Sequence, residues 1–203
     1  MIVIVDYGMG NLRSVQKKFD RINANSIISA KVEDILSADK LVLPGVGHFA
    51  NGVKKLKEYG LWEALNKRVL EDKVPILGIC LGMQLMALHS EEGNVDGLGW
   101  LDAQVIRFRM DETIRFKVPH MGWNHVSREK DSCLFENVPE NAQFYFVHSY
   151  YMKCNHGLDV LSETNYHTDF TSAVQKGNIY GTQFHPEKSH EWGEQMLVNF
   201  TKS

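Results

Sequence analysis

Gly78-Ile79-Cys80-Leu81-Gly82 sets a cysteine among small residues, directly after the apolar run Val74-Pro75-Ile76-Leu77. The helix-like stretch Met83-Gln84-Leu85-Met86-Ala87-Leu88 follows at once. This order has the form of a nucleophile elbow, a strained strand-to-helix turn that lifts a reactive side chain above a sheet. Such a turn forces unusual backbone angles and close backbone approach, which glycine tolerates. A thiol there would sit at a helix N-terminus, whose unpaired N–H groups and dipole favour the thiolate. The alternative for any single cysteine is a small buried hydrophobe.

A thiolate nucleophile needs a group that takes and returns a proton, and that group needs a third to orient it. Tyr180-Gly181-Thr182-Gln183-Phe184-His185-Pro186-Glu187-Lys188 supplies both, about a hundred residues downstream. Pro186 disfavours the helical region for His185 and predicts an extended backbone there. Residues two apart in an extended segment point the same way, so Glu187 is expected to reach the His185 ring. His-x-Glu alone is weak in a chain with nine histidines. With the elbow it defines a candidate triad: Cys80, His185 and Glu187. Elbow geometry also offers the backbone N–H of Leu81 to a developing oxyanion. A second donor is expected from Pro44-Gly45-Val46-Gly47, which follows a strand in the usual place for it. Gln84, one helical turn past Cys80, is either a substrate contact or a solvent-facing helix residue.

Pro-Ile-Leu-Gly-Ile-Cys-Leu-Gly-Met-Gln (75–84) and Thr-Gln-Phe-His-Pro-Glu-Lys-Ser (182–189) resemble the two signatures of the class I, Cys-His-Glu, glutamine amidotransferases. Val5-Asp6-Tyr7-Gly8-Met9-Gly10-Asn11, Val118-Pro119-His120-Met121-Gly122-Trp123-Asn124 and Tyr145-Phe146-Val147-His148-Ser149-Tyr150 narrow the likeness. They are similar to the glutaminase subunits of imidazole glycerol phosphate synthases, and the likeness runs over essentially the whole chain. The resemblance implies hydrolysis of L-glutamine to glutamate and ammonia. It implies that Val46, Gly47 and Leu81 carry the oxyanion donors, and that the loop at Val46 can hold its amide turned away until a partner is liganded. It implies a glutamine pocket of Gly45, Gln84, Ser149 and Tyr150. It implies a heterodimer with a (β/α)8-barrel cyclase that consumes the ammonia in histidine biosynthesis. Met121, Trp123, Tyr145 and Lys188 then lie at or near that junction, with Trp123 the expected aromatic anchor.

Ser149-Tyr150-Tyr151 and Trp100 differ from the forms expected of the histidine enzyme. They leave open a paralogue that supplies ammonia for amidination of a surface-polysaccharide or flagellin sugar. Neighbouring genes or complementation of a histidine auxotroph would separate the two. A non-catalytic scaffold of the same family is expected to lose the nucleophile or the histidine, and this chain keeps both. A peptidase using the same elbow would not need the glutamine-pocket residues.

The elements that must position these groups read as an α/β domain over residues 1–203. Its central sheet is expected to be largely parallel and flanked by helices, with antiparallel strands added in the second half. Ile2–Val5, Ile27-Ile28, Leu41-Val42-Leu43 and the run before Cys80 are short apolar strands. Leu12, Val15, Phe19 and Ile22 fall at helical spacing, as do Phe49, Val53, Leu56 and, after a break at Gly60, Leu61, Leu65, Val69. After Gly99 the texture changes to strands: 101–108, 123–127, 144–151, 172–175 and 179–184, the last pair joined by a hairpin turn at Lys176-Gly177-Asn178. A closing helix, 190–200, carries Trp192, Met196 and Phe200 on one face.

Length and 43% hydrophobic residues suit one substantial core. A net charge of −3 with mixed signs argues against nucleic acid or a membrane surface as partner. No apolar run approaches the roughly 20 residues needed to span a bilayer, and Met1–Val5 reads as a buried strand instead of a leader. Three irregularly spaced cysteines form neither a disulfide framework nor a metal cage, which fits a reducing cytoplasm. No metal, flavin or nucleotide motif is present, so no cofactor is expected.

Overall fold

Alternation decides the layering from the first strand onward. In β1 (Ile2–Val5) every side chain is buried, Ile2 and Ile4 in one apolar cluster, Val3 and Val5 in the other. A strand covered on both faces reads as a continuous apolar run, and it belongs in the middle of a three-layer α/β domain. The computed structural model describes residues 1–109 and 117–203. In it β1 pairs in parallel with β2 (Ser26–Ser29) and β3 (Lys40–Gly45); β3 pairs in parallel with β4 (Ile76–Cys80). β4 in turn pairs in parallel with β14 (Ile179–Thr182), which brings the end of the chain beside Cys80.

Helices cover both faces. α1 (Leu12–Arg21) and α6 (His190–Lys202) pack Val15, Phe19, Met196, Leu197 and Phe200 against one side. α2 (Val32–Ser37), α3 (Phe49–Glu58) and α4 (Leu61–Asn66) cover the other. α2 is absent from the periodicity reading because six residues are too few to show a stripe.

The second half extends the sheet with mostly antiparallel strands, as expected, but its boundaries differ. β13 (Thr168–Lys176) joins β14 through the expected turn, with Gly177 at φ +57°. β12 (Val160–Tyr166), not foreseen, pairs with β13 and with the short β9 (Ser127–Arg128). The single strand expected over 144–151 is two. β10 (Gln143–His148) pairs with β8 (His120–His125) in a separate small sheet. β11 (Tyr150–Cys154) pairs with β7 (Leu101–Arg107) and β13 in the large one. The chain crosses between sheets at Ser149, whose carbonyl accepts from Phe108 N at 3.1 Å.

The helix expected over 83–88 is also cut short. α5 spans only Leu81–Gln84, and Ala87–Ser90 is strand β5, which pairs with β7 and with the two-residue β6 (Val95–Asp96). A later segment captures the carbonyls a longer helix would need. Leu98 N donates to Leu85 O, Trp100 N to Met86 O and Gly99 N to Ala87 O, at 2.7–3.1 Å. Among the described residues the large sheet counts twelve strands. No described helix is long and apolar enough to cross a membrane.

Candidate active site

Cys80 ends β4 with φ +54° and ψ −108°, a strained position for a residue with a Cβ. The strain falls on the cysteine, while the two glycines serve close approach. A Cβ on Gly82 would lie 1.7 Å from Leu43 O, and one on Gly78 would lie 2.7 Å from Met83 N. The tight packing of α5 on β3 and β4 therefore sets the turn that aims Cys80.

His185 and Glu187 lie beside it through the β4–β14 pairing. His185 Nδ1 and Glu187 Oε1 are 2.8 Å apart, and both side chains are almost fully buried. The expected contact exists, but for a different reason. His185 is extended at φ −101°, ψ 96°, while Pro186–Lys188 form a 3-10 turn, and that turn swings Glu187 back onto the ring. With Nδ1 occupied, Nε2 is the ring nitrogen left for proton transfer. It is buried and has no hydrogen-bond partner among the described residues. Burial pulls the His185 pKa down. The charge of nearby Cys80, together with the hydrogen bond and charge of Glu187, outweighs that and raises it to about 10. These surroundings favour the charged imidazolium form of His185.

The Cys80 sulfur opens into a cavity of about 320 Å³, lined by Val46, Gly47, Leu81, Gln84, Ser149 and Tyr150 among others. Six residues expected around a substrate thus meet on one wall system. Gly45 lies just outside it, paired in register with Cys80 at the end of β3. Gly47 holds φ +114°, a region L-residues avoid. Gln84 is buried instead of solvent-facing. Its Nε2 donates to Tyr150 O and Gln183 Oε1, both at 2.9 Å.

Several residues at the site escaped sequence reasoning. Gln183 Nε2 donates to Cys80 Sγ at 3.6 Å. Glu92 brings a carboxylate to the cavity wall, where Oε2 also accepts from Phe49 N at 2.8 Å. Tyr7 is fully buried beneath Gly45; a Cβ there would sit 2.3 Å from its hydroxyl. Burial, reinforced by the charge of Cys80, pushes the Tyr7 pKa up and keeps it a neutral phenol. Gln183 and Tyr7 stand inside the quoted motifs, but a polar residue in a motif carries no sign of which way it points.

The four residues expected at a partner surface also cluster. Met121 and Trp123 are exposed on β8, at 62% and 43%. Trp123 is opposite Tyr145 in register, with ring centroids 5.9 Å apart, and stacks on His190 at 4.7 Å. The Lys188 ammonium lies 5.6 Å from the Tyr145 ring centre. Backbone ties join this patch to the triad, since His185 N donates to Tyr145 O at 2.9 Å.

The family model described as "Glutamine amidotransferase class-I" matches residues 3–203. The chain is 50% identical over 202 residues to the imidazole glycerol phosphate synthase subunit HisH 2 of Methanococcus maripaludis, covering 100% of this chain and 99% of that one. It is 46% identical over 203 residues to the subunit HisH 2 of Pseudomonas aeruginosa, with the same coverage. Among solved structures, a putative GMP synthase component from Thermoplasma acidophilum superposes with a TM-score of 0.74 at 22% identity, over 99% of this chain and 92% of that one. A glutamine amidotransferase structure gives 0.76 at 19% identity, over 99% and 97%. The structural likenesses establish the fold, and the sequence relatives the family.

Proposed function

The chain belongs to the class I glutamine amidotransferase family, and on that premise we propose that it is the glutaminase subunit of an imidazole glycerol phosphate synthase. It hydrolyses L-glutamine and passes the ammonia to a (β/α)8-barrel cyclase in histidine biosynthesis. One observation carries the reading: a strained cysteine opens into a substrate-sized cavity beside a buried His–Glu pair whose free nitrogen is unclaimed among the described residues.

The chemistry follows from that arrangement. The Cys80 thiolate attacks the carboxamide carbon of glutamine. The oxyanion takes donors from the Leu81 and Val46–Gly47 backbone. Protonated His185 delivers its Nε2 proton to the departing nitrogen; the C–N bond breaks, ammonia leaves, and a glutamyl thioester remains. Sulfur then carries no charge, so the Cys80 contribution that held the imidazolium is gone. His185, having given up its proton, is neutral and free to act as the base: it draws a proton from water as the water attacks the thioester. Glutamate leaves and the thiolate–imidazolium pair returns. Glu187 fixes the ring and balances its charge throughout. Gln84, Ser149 and Tyr150 bound the glutamine, and Glu92 is placed to accept from its α-ammonium group.

Ammonia that escapes to water becomes ammonium and loses its nucleophilic lone pair, so its consumer must be docked nearby. The exposed Met121–Trp123 patch with Tyr145 and Lys188 is suited to that docking. In the complex with the cyclase, Cys80→Ala is expected to abolish glutamine-dependent synthesis and leave ammonia-dependent synthesis intact. Loss of both in a folded, correctly paired complex overturns the assignment.

A second reading has its own support. Methanococcus maripaludis has subunits numbered HisH 1 and HisH 2; the chain is 45% identical to the first and 50% to the second. A duplicated subunit fits a second nitrogen acceptor, such as a sugar amidinated for a surface polysaccharide or flagellin. Growth of a histidine auxotroph on this gene with its partner favours the first reading, and failure with an active glutaminase favours the second.

A further inference from the structure

Two buried histidines outside the triad are linked to each other and to the glutamine pocket. His120 stands on β8, on the face opposite Met121 and Trp123; His148 ends β10, directly across from it. Their rings meet through His120 Nδ1 and His148 Nε2 at 3.0 Å. The His120 ring is held between Phe146 and Tyr166, stacked at 4.8 and 4.0 Å.

The protons in this chain are fixed by its ends. His148 Nδ1 faces Tyr150 O at 2.8 Å, and a carbonyl only accepts, so Nδ1 carries the hydrogen. In a neutral ring Nε2 is then an acceptor, and His120 Nδ1–H must donate to it. His120 Nε2 is left as an acceptor for Asn124 Nδ2, at 3.4 Å. Asn124 cannot turn its amide over, because Oδ1 accepts from His125 N and Nδ2 also donates to Asn165 O. Burial keeps both rings neutral, pushing His120 down to about 4 and His148 to about 3. Nearby His185 also disfavours a second charge on His148.

Tyr150 O accepts a second hydrogen bond from Gln84, which binds Gln183, which binds the Cys80 sulfur. An unbroken line of hydrogen bonds therefore runs from β8 to the nucleophile. We propose that His120 and His148 are positioning residues: a neutral, tautomer-locked pair that ties the setting of strand β8 to the Tyr150 carbonyl, and through it to Gln84 and Cys80. This rests on the glutaminase reading and deepens it. The strand that carries the proposed docking residues also holds the substrate wall, so a partner pressing on Trp123 acts on both.

The test uses the complex with the cyclase and two substitutions at one site. His120→Leu removes the donor to His148 Nε2; His120→Asn returns an N–H near the position of Nδ1. His120→Leu is expected to raise KM for glutamine about tenfold, the effect of one lost hydrogen bond. The ammonia-dependent rate should not change, and His120→Asn should recover most of the KM. Unchanged glutamine kinetics in the Leu variant, or equal impairment in both variants, overturns the proposal. Histidine-selective 15N spectra of the unmodified protein give a second readout that needs neither folding of a variant nor turnover. They should show His148 as the neutral Nδ1–H tautomer at pH about 6, and an Nε2–H or doubly protonated ring overturns the relay. A wild-type complex without glutaminase activity would defeat the proposed function, while the spectra would still judge the pair.

Discussion

Replacing Glu187 by Gln removes a charge from the triad with little change of shape. The carboxylate sits 2.8 Å from His185 Nδ1, with both side chains sealed from solvent. An amide oxygen can still accept the Nδ1–H, so the tautomer and ring orientation should survive. What is lost is the preference for the charged ring. A charge-assisted hydrogen bond contributes about 1 kcal/mol more than a neutral one, which sets the lower bound. Coulomb attraction at about 4 Å and an effective dielectric of about 20 gives roughly 4 kcal/mol, the upper bound. At about 1.4 kcal/mol per pH unit, the His185 pKa should fall by about 1–3 units. In the unmodified protein it lies at about 10. The assay is glutamate release by the complex across about pH 6 to 11, read as kcat/KM, whose alkaline limb reports the proton that leaves with ammonia. The limb should move toward neutrality in Glu187→Gln, with the acid limb nearly fixed and thermal unfolding as a control for folding. An alkaline limb unmoved by this substitution would refute the account of what holds His185 charged.

Three further outcomes follow from the same geometry. Gly82→Ala drives a methyl to 1.7 Å from Leu43 O, which backbone cannot yield cheaply. A loss of about 3 kcal/mol or more in urea unfolding is expected, and a variant as stable as the parent would dismiss the close-packed elbow. His120 and His148 have folded-state pKa values depressed to about 4 and 3. Their stabilising effect is present above the unfolded value of about 6.5 and is lost as pH falls toward the folded ones. Each should contribute about 2 kcal/mol of destabilisation by pH 5, measured as a fall in unfolding free energy that His120→Asn reduces. Trp123→Ala should weaken binding of the barrel protein by about 2 kcal/mol, roughly thirtyfold, with the triad unaltered. Equal affinities by calorimetric titration would move the junction elsewhere.

The candidate triad was legible along the chain because its two halves are local. The elbow is declared by five consecutive residues, Gly78 to Gly82, and the His–Glu contact needs only three, since Pro186 dictates how the backbone turns between them. Short continuous apolar runs likewise announced β1, β3 and β4, and apolar residues at helical period announced α1, α3, α4 and α6. The extended-segment argument for Glu187 reached the correct contact through the wrong backbone, because a 3-10 turn after proline also brings those side chains together.

What the sequence alone supplied, then, is the candidate triad and the likeness to the family that its relatives show. Tertiary structure decided where the pocket closes and what supports it. Residues 83–88 are apolar enough for a helix or a strand; the helix stops at Gln84, and the arrival of Leu98–Trp100 at the carbonyls of Leu85, Met86 and Ala87 turns the rest toward strand β5. The run 144–151 splits at Ser149 because its two halves find partners in different sheets. His120 and His148, 28 residues apart, become one hydrogen-bonded unit only when β8 meets β10. Each of these depends on groups far apart in the chain competing for the same hydrogen bonds. Local propensity and spacing contain no information about that competition, and folding resolves it by burial.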